Sequence, residues 1–162
     1  METKKSLKIG LDFHGVINTR PSYFKDFTEY AEAAGHQIYV ITGGPANAIE
    51  SFLKAWGIKY TGLFTILDYY AAEGKVTYFP DGHFKIPDEL WDTAKAKYCR
   101  QHKIDIQIDD SEVYGRAFVT PFCRYNESSH NCQLARNIVV NLALPPRDAL
   151  IQIEKALDAL SR

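Results

Sequence analysis

Three short apolar runs in this sequence each end in residues that can carry chemistry. In chain order these residues are Asp12 with His14, Thr42 with Gly43, and Asp109 with Asp110. A carboxylate such as Asp12 can act as a nucleophile, and a pair of acids offers the hard oxygen ligands that Mg²⁺ prefers. A lysine near the acidic pair would neutralise a phosphate group. Together these side chains suit metal-assisted phosphoryl transfer.

The elements that must position these residues follow from the spacing of apolar side chains. A strand at 7–12, a helix closed by Gly35 and a strand at 37–41 form a βαβ unit. The same criteria predict helices at 45–56, 87–102 and 146–160, strands at 58–66, 104–108 and 118–122, a hairpin within 74–87, a polar loop at 124–131 and an apolar run at 138–144. Strands that alternate with helices predict an α/β fold with a doubly wound, mostly parallel sheet, whose ligands lie outside the carboxyl ends of the strands.

Composition sets limits on the class of protein. The 162 residues are 46% hydrophobic and 24% charged, as expected for one globular domain spanning residues 1–162. Because 19 Lys and Arg balance 20 Asp and Glu, the charge argues against a nucleic-acid partner. No stretch approaches a transmembrane span, and the N-terminus leaves no room for a signal peptide, so we expect a cytoplasmic protein that makes no membrane contact. The three cysteines show no disulfide framework and predict reduced thiols.

The ordered set of short segments resembles the haloacid dehalogenase-like (HAD) superfamily, which carries four motifs in this order. The segment Leu11-Asp12-Phe13-His14-Gly15-Val16 is similar to the first motif, Val40-Ile41-Thr42-Gly43 to the second, and Ile106-Gln107-Ile108-Asp109-Asp110-Ser111 to the fourth. The third motif is a lysine, for which Lys95 fits best by distance and Lys97 is a close competitor. The resemblance implies a Rossmann-like fold, with Asp12 as nucleophile and metal ligand. It also implies Thr42, Gly43 and Lys95 as substrate ligands, and Asp109 or Asp110 as a further ligand of Mg²⁺.

His14 departs from the family pattern, which has an aspartate there that protonates the leaving alcohol and deprotonates the attacking water. In the family, this position contributes its backbone carbonyl to the metal, and a histidine retains that carbonyl. Histidine titrates near neutral pH and could take over both proton transfers. The implied activity is a Mg²⁺-dependent phosphatase acting on a small phosphomonoester, a nucleotide or a sugar phosphate. The alternative is a catalytically impaired binding or regulatory protein that retains the pocket.

Access to the site can also be predicted. The interval between the first two motifs holds one helix, so no large helical cap fits there. The hairpin within 74–87 could form a small flap, with the aromatic residues Tyr69, Tyr70, Tyr78, Phe79 and Phe84 as candidate wall residues. A nearly open site admits bulky substrates, or is closed by a second copy of the chain in a homo-oligomer.

Overall fold

The computed structural model describes residues 6–162 as an α/β protein. Residues 1–5, on which the prediction about a signal peptide depends, lie outside the described part. The strands are β1 (Lys8–Leu11), β2 (Gln37–Thr42), β3 (Gly62–Thr65), β4 (Thr77–Tyr78), β5 (Phe84–Lys85), β6 (Ile106–Asp109), β7 (Phe122–Tyr125), β8 (Asn131–Gln133) and β9 (Val139–Asn141). The helices are α1 (Pro21–Ala33), α2 (Ala46–Ala55), α3 (Ile66–Ala72), α4 (Asp88–Gln101), α5 (Glu112–Gly115) and α6 (Pro146–Leu160).

Seven of the strands between residues 6 and 162 form one mostly parallel sheet in the order β3-β2-β1-β6-β7-β8-β9. The first five run parallel, whereas β8 and β9 extend the sheet antiparallel. The chain builds β1, β2 and β3 outward in one direction and returns through α4 to place β6 beside β1. The strand order therefore reverses between β1 and β6, and this reversal creates the crevice where open α/β sheets bind ligands.

The two faces of the sheet are covered by different helices. The largest core cluster includes buried side chains of α1, α2 and α6, such as Phe24, Leu53 and Ile153. Two smaller clusters lie with α3 and α4 and include Ile66, Ala94 and Cys99. Helices on both faces explain why the central strands β1 and β6 are almost wholly buried.

Several predicted elements are confirmed and others need correction. The hairpin is present as β4 and β5, and α6 has the predicted bounds. The strand predicted at 118–122 is wrong, since β7 begins only at Phe122 and continues to Tyr125, inside the predicted polar loop. The strand predicted at 58–66 is limited to 62–65, because Ile66 already begins α3. Helices α3 and α5 and strand β8 were not predicted.

None of the helices within residues 6–162 combines the length and the apolar character needed to cross a bilayer. The three cysteines, for which the sequence predicts reduced thiols, are free and buried.

Candidate active site

Asp12 directly follows β1 and is only 4% exposed. Its backbone N–H donates to the carbonyl of Ile108 in β6 at 2.9 Å. Its carboxylate Oδ1 accepts a hydrogen bond from the N–H of Phe13 at 2.8 Å. The carboxyl group is therefore held at the reversal point between β1 and β6.

Lys95 projects from α4 into the same place and is 1% exposed. Its Nζ lies 2.7 Å from Oδ2 of Asp109 and 3.4 Å from Oδ1 of Asp12. A buried ammonium between two buried carboxyl groups is costly to assemble unless each charge is paired, as these are. Lys95, predicted as the third motif, therefore lies beside Asp12 of the first motif and Asp109 of the fourth.

Lys97, the competing lysine, is exposed and lies elsewhere. It lines a cleft of about 380 Å³ beside α3 and α4, together with Tyr69, Tyr70 and Tyr98. Tyr69 and Tyr70, predicted as wall residues of the site, therefore belong to α3 and to this separate cleft.

Asp110 completes a group of three acids. Asp12, Asp109 and Asp110 each offer a carboxylate oxygen, and these three atoms lie within 4.8 Å of one another. Gly15 permits this approach, because a Cβ atom at position 15 would lie 2.1 Å from Oδ2 of Asp110. Gly15 also has a φ of 87°, in the region that favours glycine. Three convergent carboxylate oxygens are a donor set that suits a hard divalent cation such as Mg²⁺.

Burial and neighbouring charges together set the protonation of the cluster. Burial is the main cause that raises the pKa of Asp12 to about 8; Lys95 and a hydrogen bond with Thr42 lower the pKa only in part, and Asp109 and Asp110 raise it further. Burial also raises the pKa of Asp110, and Asp109 adds to the increase. For Lys95, burial would lower the pKa, but the carboxylates of Asp12 and Asp109 outweigh burial and the pKa is raised. The three carboxyl groups outnumber the single Lys95 ammonium, so a bound cation would balance the remaining negative charge of the ionised cluster.

Thr42 and Gly43 lie at the end of the neighbouring strand β2. Thr42 is buried, and its side chain forms a hydrogen bond with Asp12 that favours the ionised carboxylate. The carbonyl of Gly43 accepts a hydrogen bond from the N–H of Leu67 at 2.9 Å. Thr42 therefore lies beside the acidic cluster, as expected for residues at the ends of adjacent parallel strands, and Gly43 follows it in the chain.

His14 is exposed, and its ring contacts that of Phe13 edge to face with 5.0 Å between centroids. Its side chain is not part of the three-acid group found within residues 6–162. The proton-transfer role of His14 and the contribution of its backbone carbonyl to a metal both stay predictions.

Two further features of the site were not predicted from the sequence. The side-chain amide of Gln107, buried in β6, donates to Oδ2 of Asp109 at 3.2 Å. The period-two alternation of Ile106-Gln107-Ile108-Asp109 could have revealed this contact, since it places Gln107 and Asp109 on one face. The second feature is Tyr114 of α5, whose ring centroid lies 4.1 Å from Nζ of Lys95. No pattern in the sequence indicates this contact.

Comparisons of the chain with protein-family models, with curated proteins and with solved structures gave no match. The resemblance to the HAD superfamily therefore depends on the four short motifs.

Proposed function

We propose that this chain is a HAD-like, Mg²⁺-dependent phosphatase that hydrolyses a small phosphomonoester, a nucleotide or a sugar phosphate, through an aspartyl-phosphate on Asp12. The observation that carries the proposal is the buried Lys95 ammonium between Asp12 and Asp109, with Asp110 close by, at the reversal of strand order. The motif resemblance supports the same assignment independently of this geometry.

Each residue of the cluster has a part in the proposed reaction. Asp12, Asp109 and Asp110 would hold Mg²⁺, which when bound would balance their charge and that of the phosphate. The carboxylate of Asp12 forms a bond to phosphorus as the bond to the leaving alcohol breaks, and water then hydrolyses the resulting acyl phosphate. Lys95 and the Thr42-Gly43 segment bind the phosphate oxygens.

His14 is the proposed proton-transfer group. It lies two residues beyond Asp12 and its ring is open to solvent, so it can give a proton to the leaving alcohol and later accept one from water. A second function is favoured by the same residue: with no carboxylic acid at position 14, the chain could be a binding or regulatory protein that keeps the pocket without turnover.

The test is burst kinetics with a chromogenic aryl phosphate in the presence of Mg²⁺. We expect a burst and steady turnover in the wild type, and loss of both in Asp12→Asn or after addition of EDTA. Asp26→Asn, a change of an exposed carboxylate on α1, is the matched control and should behave as the wild type does. Unchanged turnover in Asp12→Asn would show that Asp12 is not the nucleophile.

The variant His14→Asp separates the two candidate functions in the same assay. If the wild type hydrolyses the substrate and His14→Asp is slower, His14 is a working acid and base. If the wild type is inactive and His14→Asp gains hydrolysis, the binding or regulatory function is correct.

A further inference from the structure

An aromatic side chain stands at the mouth of the candidate active site. Trp91 of α4 is half-buried, and two carbons of its six-membered ring lie 3.1 and 3.2 Å from the position that a Cβ atom of residue 43 would occupy. The absence of a side chain at Gly43 therefore lets the indole lie directly against the proposed phosphate-binding segment. A phosphate bound at Thr42-Gly43 would have Trp91 as a neighbour.

The direction of α4 places Trp91 on the outer side of the phosphate position. Because α4 leads into the parallel strand β6, its N-terminal end lies at the carboxyl edge of the sheet. Trp91 precedes Lys95 by four residues, so it lies on the same helix face and about 6 Å farther toward that edge. If Lys95 contacts the phosphate, Trp91 lies at the level of the group esterified to it.

Neighbouring residues fix the indole in this place. Its Nε1 donates a hydrogen bond to the hydroxyl of Tyr114 at 2.6 Å, and the Tyr114 ring covers the Lys95 ammonium. On the outer side, the ring of Phe84 in the hairpin lies 5.9 Å from the Trp91 ring and is 39% exposed. Three aromatic side chains from α4, α5 and the hairpin thus form a continuous wall that runs outward from Lys95.

We infer that this wall, with Trp91 at its centre, recognises a planar aromatic ring carried by the leaving group, so that the substrates are aryl or nucleoside phosphate monoesters rather than phosphates of open-chain or sugar alcohols. The inference rests on the proposed function for the position of the phosphate. Its physical basis is ring stacking, which requires a flat π-face on the ligand and is insensitive to the ligand's hydrogen-bonding pattern. Aliphatic phosphates would gain only their phosphate contacts.

Equilibrium binding tests the inference without turnover. The chain has two tryptophans, Trp56 and Trp91, so Trp56→Phe leaves Trp91 as the only indole reporter while keeping an aromatic ring at position 56. In the double variant Asp12→Asn, Trp56→Phe with Mg²⁺, we expect adenosine 5′-monophosphate to quench Trp91 emission and to bind about tenfold or more tightly than ribose 5-phosphate. Inorganic phosphate should compete with it.

Phenyl phosphate distinguishes the two sources of an aromatic ring. It should also bind more tightly than ribose 5-phosphate. If phenyl phosphate binds more tightly than the nucleotide, the leaving group is aryl. If the nucleotide binds more tightly, the leaving group is a nucleoside. Equal affinity for all three phosphates with unchanged Trp91 emission would overturn the inference.

Wild-type turnover and two variants complete the test. For adenosine 5′-monophosphate and ribose 5-phosphate, which both release a primary alcohol, wild-type kcat/KM should follow the order of affinity, and Trp91→Leu should lose the aromatic preference while Trp91→Phe keeps most of it. If Trp91→Leu does not fold, the wild-type comparison still decides. Failure of the proposed function would appear separately, as Asp12-independent turnover or none, whereas binding would remain measurable.

Discussion

Gly15 is the residue whose replacement tests the acidic cluster most directly. A methyl group there would meet the Asp110 carboxyl at 2.1 Å and would have to displace it. Gly15→Ala should therefore weaken Mg²⁺ binding at least tenfold, in addition to the cost of placing alanine at positive φ, about 1–2 kcal/mol. Isothermal calorimetry with Mg²⁺ and urea unfolding measure the two effects separately.

Gly35→Ala is a matched control for this variant. Gly35 has a φ of 89°, nearly the same as that of Gly15, but nothing lies within 4 Å of its Cβ position. It should lose a similar amount of stability and bind Mg²⁺ as the wild type does. If the two variants bind Mg²⁺ equally, Asp110 is not a metal ligand.

Individual site residues could be predicted where their position along the chain decides their role. Asp12, Thr42 and Asp109 each end or follow a buried strand, and parallel strands bring such positions together. Gln107 could have been chosen from the strand alternation, which places it on the same face as Asp109. Tyr114 could not, because its contact with Lys95 depends on the short helix α5, which the apolar spacing does not encode.

At the scale of elements, α4 decides which lysine serves the site. Residues 95 and 97 are two apart, about 200° around a helix, so only one of them can face the sheet. Lys95 faces it and pairs with two buried carboxyl groups, whereas Lys97 is exposed. The distance along the sequence does not decide between Lys95 and Lys97, because the face that a helix turns toward the sheet is fixed by packing.

The pair Lys95→Met and Lys97→Met tests this difference through stability. At neutral pH, Lys95→Met leaves the buried Asp109 carboxyl without its ion-pair partner, 2.7 Å away in the wild type, and should lower the free energy of unfolding by about 3–5 kcal/mol. Lys97→Met should change it by less than about 0.5 kcal/mol. Urea unfolding of both variants without metal makes the comparison. Equal and small losses would mean that the Lys95 ion pairs contribute little in solution.

Helices and strands were predicted well where the apolar pattern spans many residues and poorly where it spans few. Helix α6, with 15 residues, has the predicted bounds, whereas α3 has seven residues and β8 three. In β7 the exposed Arg124 alternates with the buried Cys123 and Tyr125. The polar residues from Arg124 onward predict a loop, although alternation of buried and exposed residues is what a strand with one solvated face shows.

At the scale of the whole molecule, the candidate site places three carboxyl groups and only one ammonium at the centre of the sheet. Asp12 and Asp109 lie at the ends of β1 and β6, where both faces of the sheet are covered. The same burial that excludes water from the carboxyl groups opposes their ionisation. Folding thus places these carboxyl groups where their ionised forms oppose stability, an effect that the proposed Mg²⁺ would offset.

This conflict predicts how the stability of the metal-free protein depends on pH. Because the folded protein raises the pKa of Asp12 from 3.8 to about 8, it holds a proton there that the unfolded chain releases. The contribution of Asp12 to stability is therefore full below about pH 4 and is lost as the pH rises to about 8. Urea unfolding in EDTA should show a fall of several kcal/mol across this range, with about 6 kcal/mol as the upper bound for a shift of this size.

Asp12→Asn and added Mg²⁺ supply the controls for this prediction. Asparagine cannot ionise, so Asp12→Asn should flatten most of the decline and be more stable than the wild type at pH 8 without metal. Mg²⁺ prefers the ionised carboxylates, so the rise in Tm that it causes in the wild type should grow with pH. A wild-type protein whose metal-free stability is constant or rises between pH 4 and pH 8, matching Asp12→Asn throughout, would show that Asp12 is ionised in the folded state without a cation.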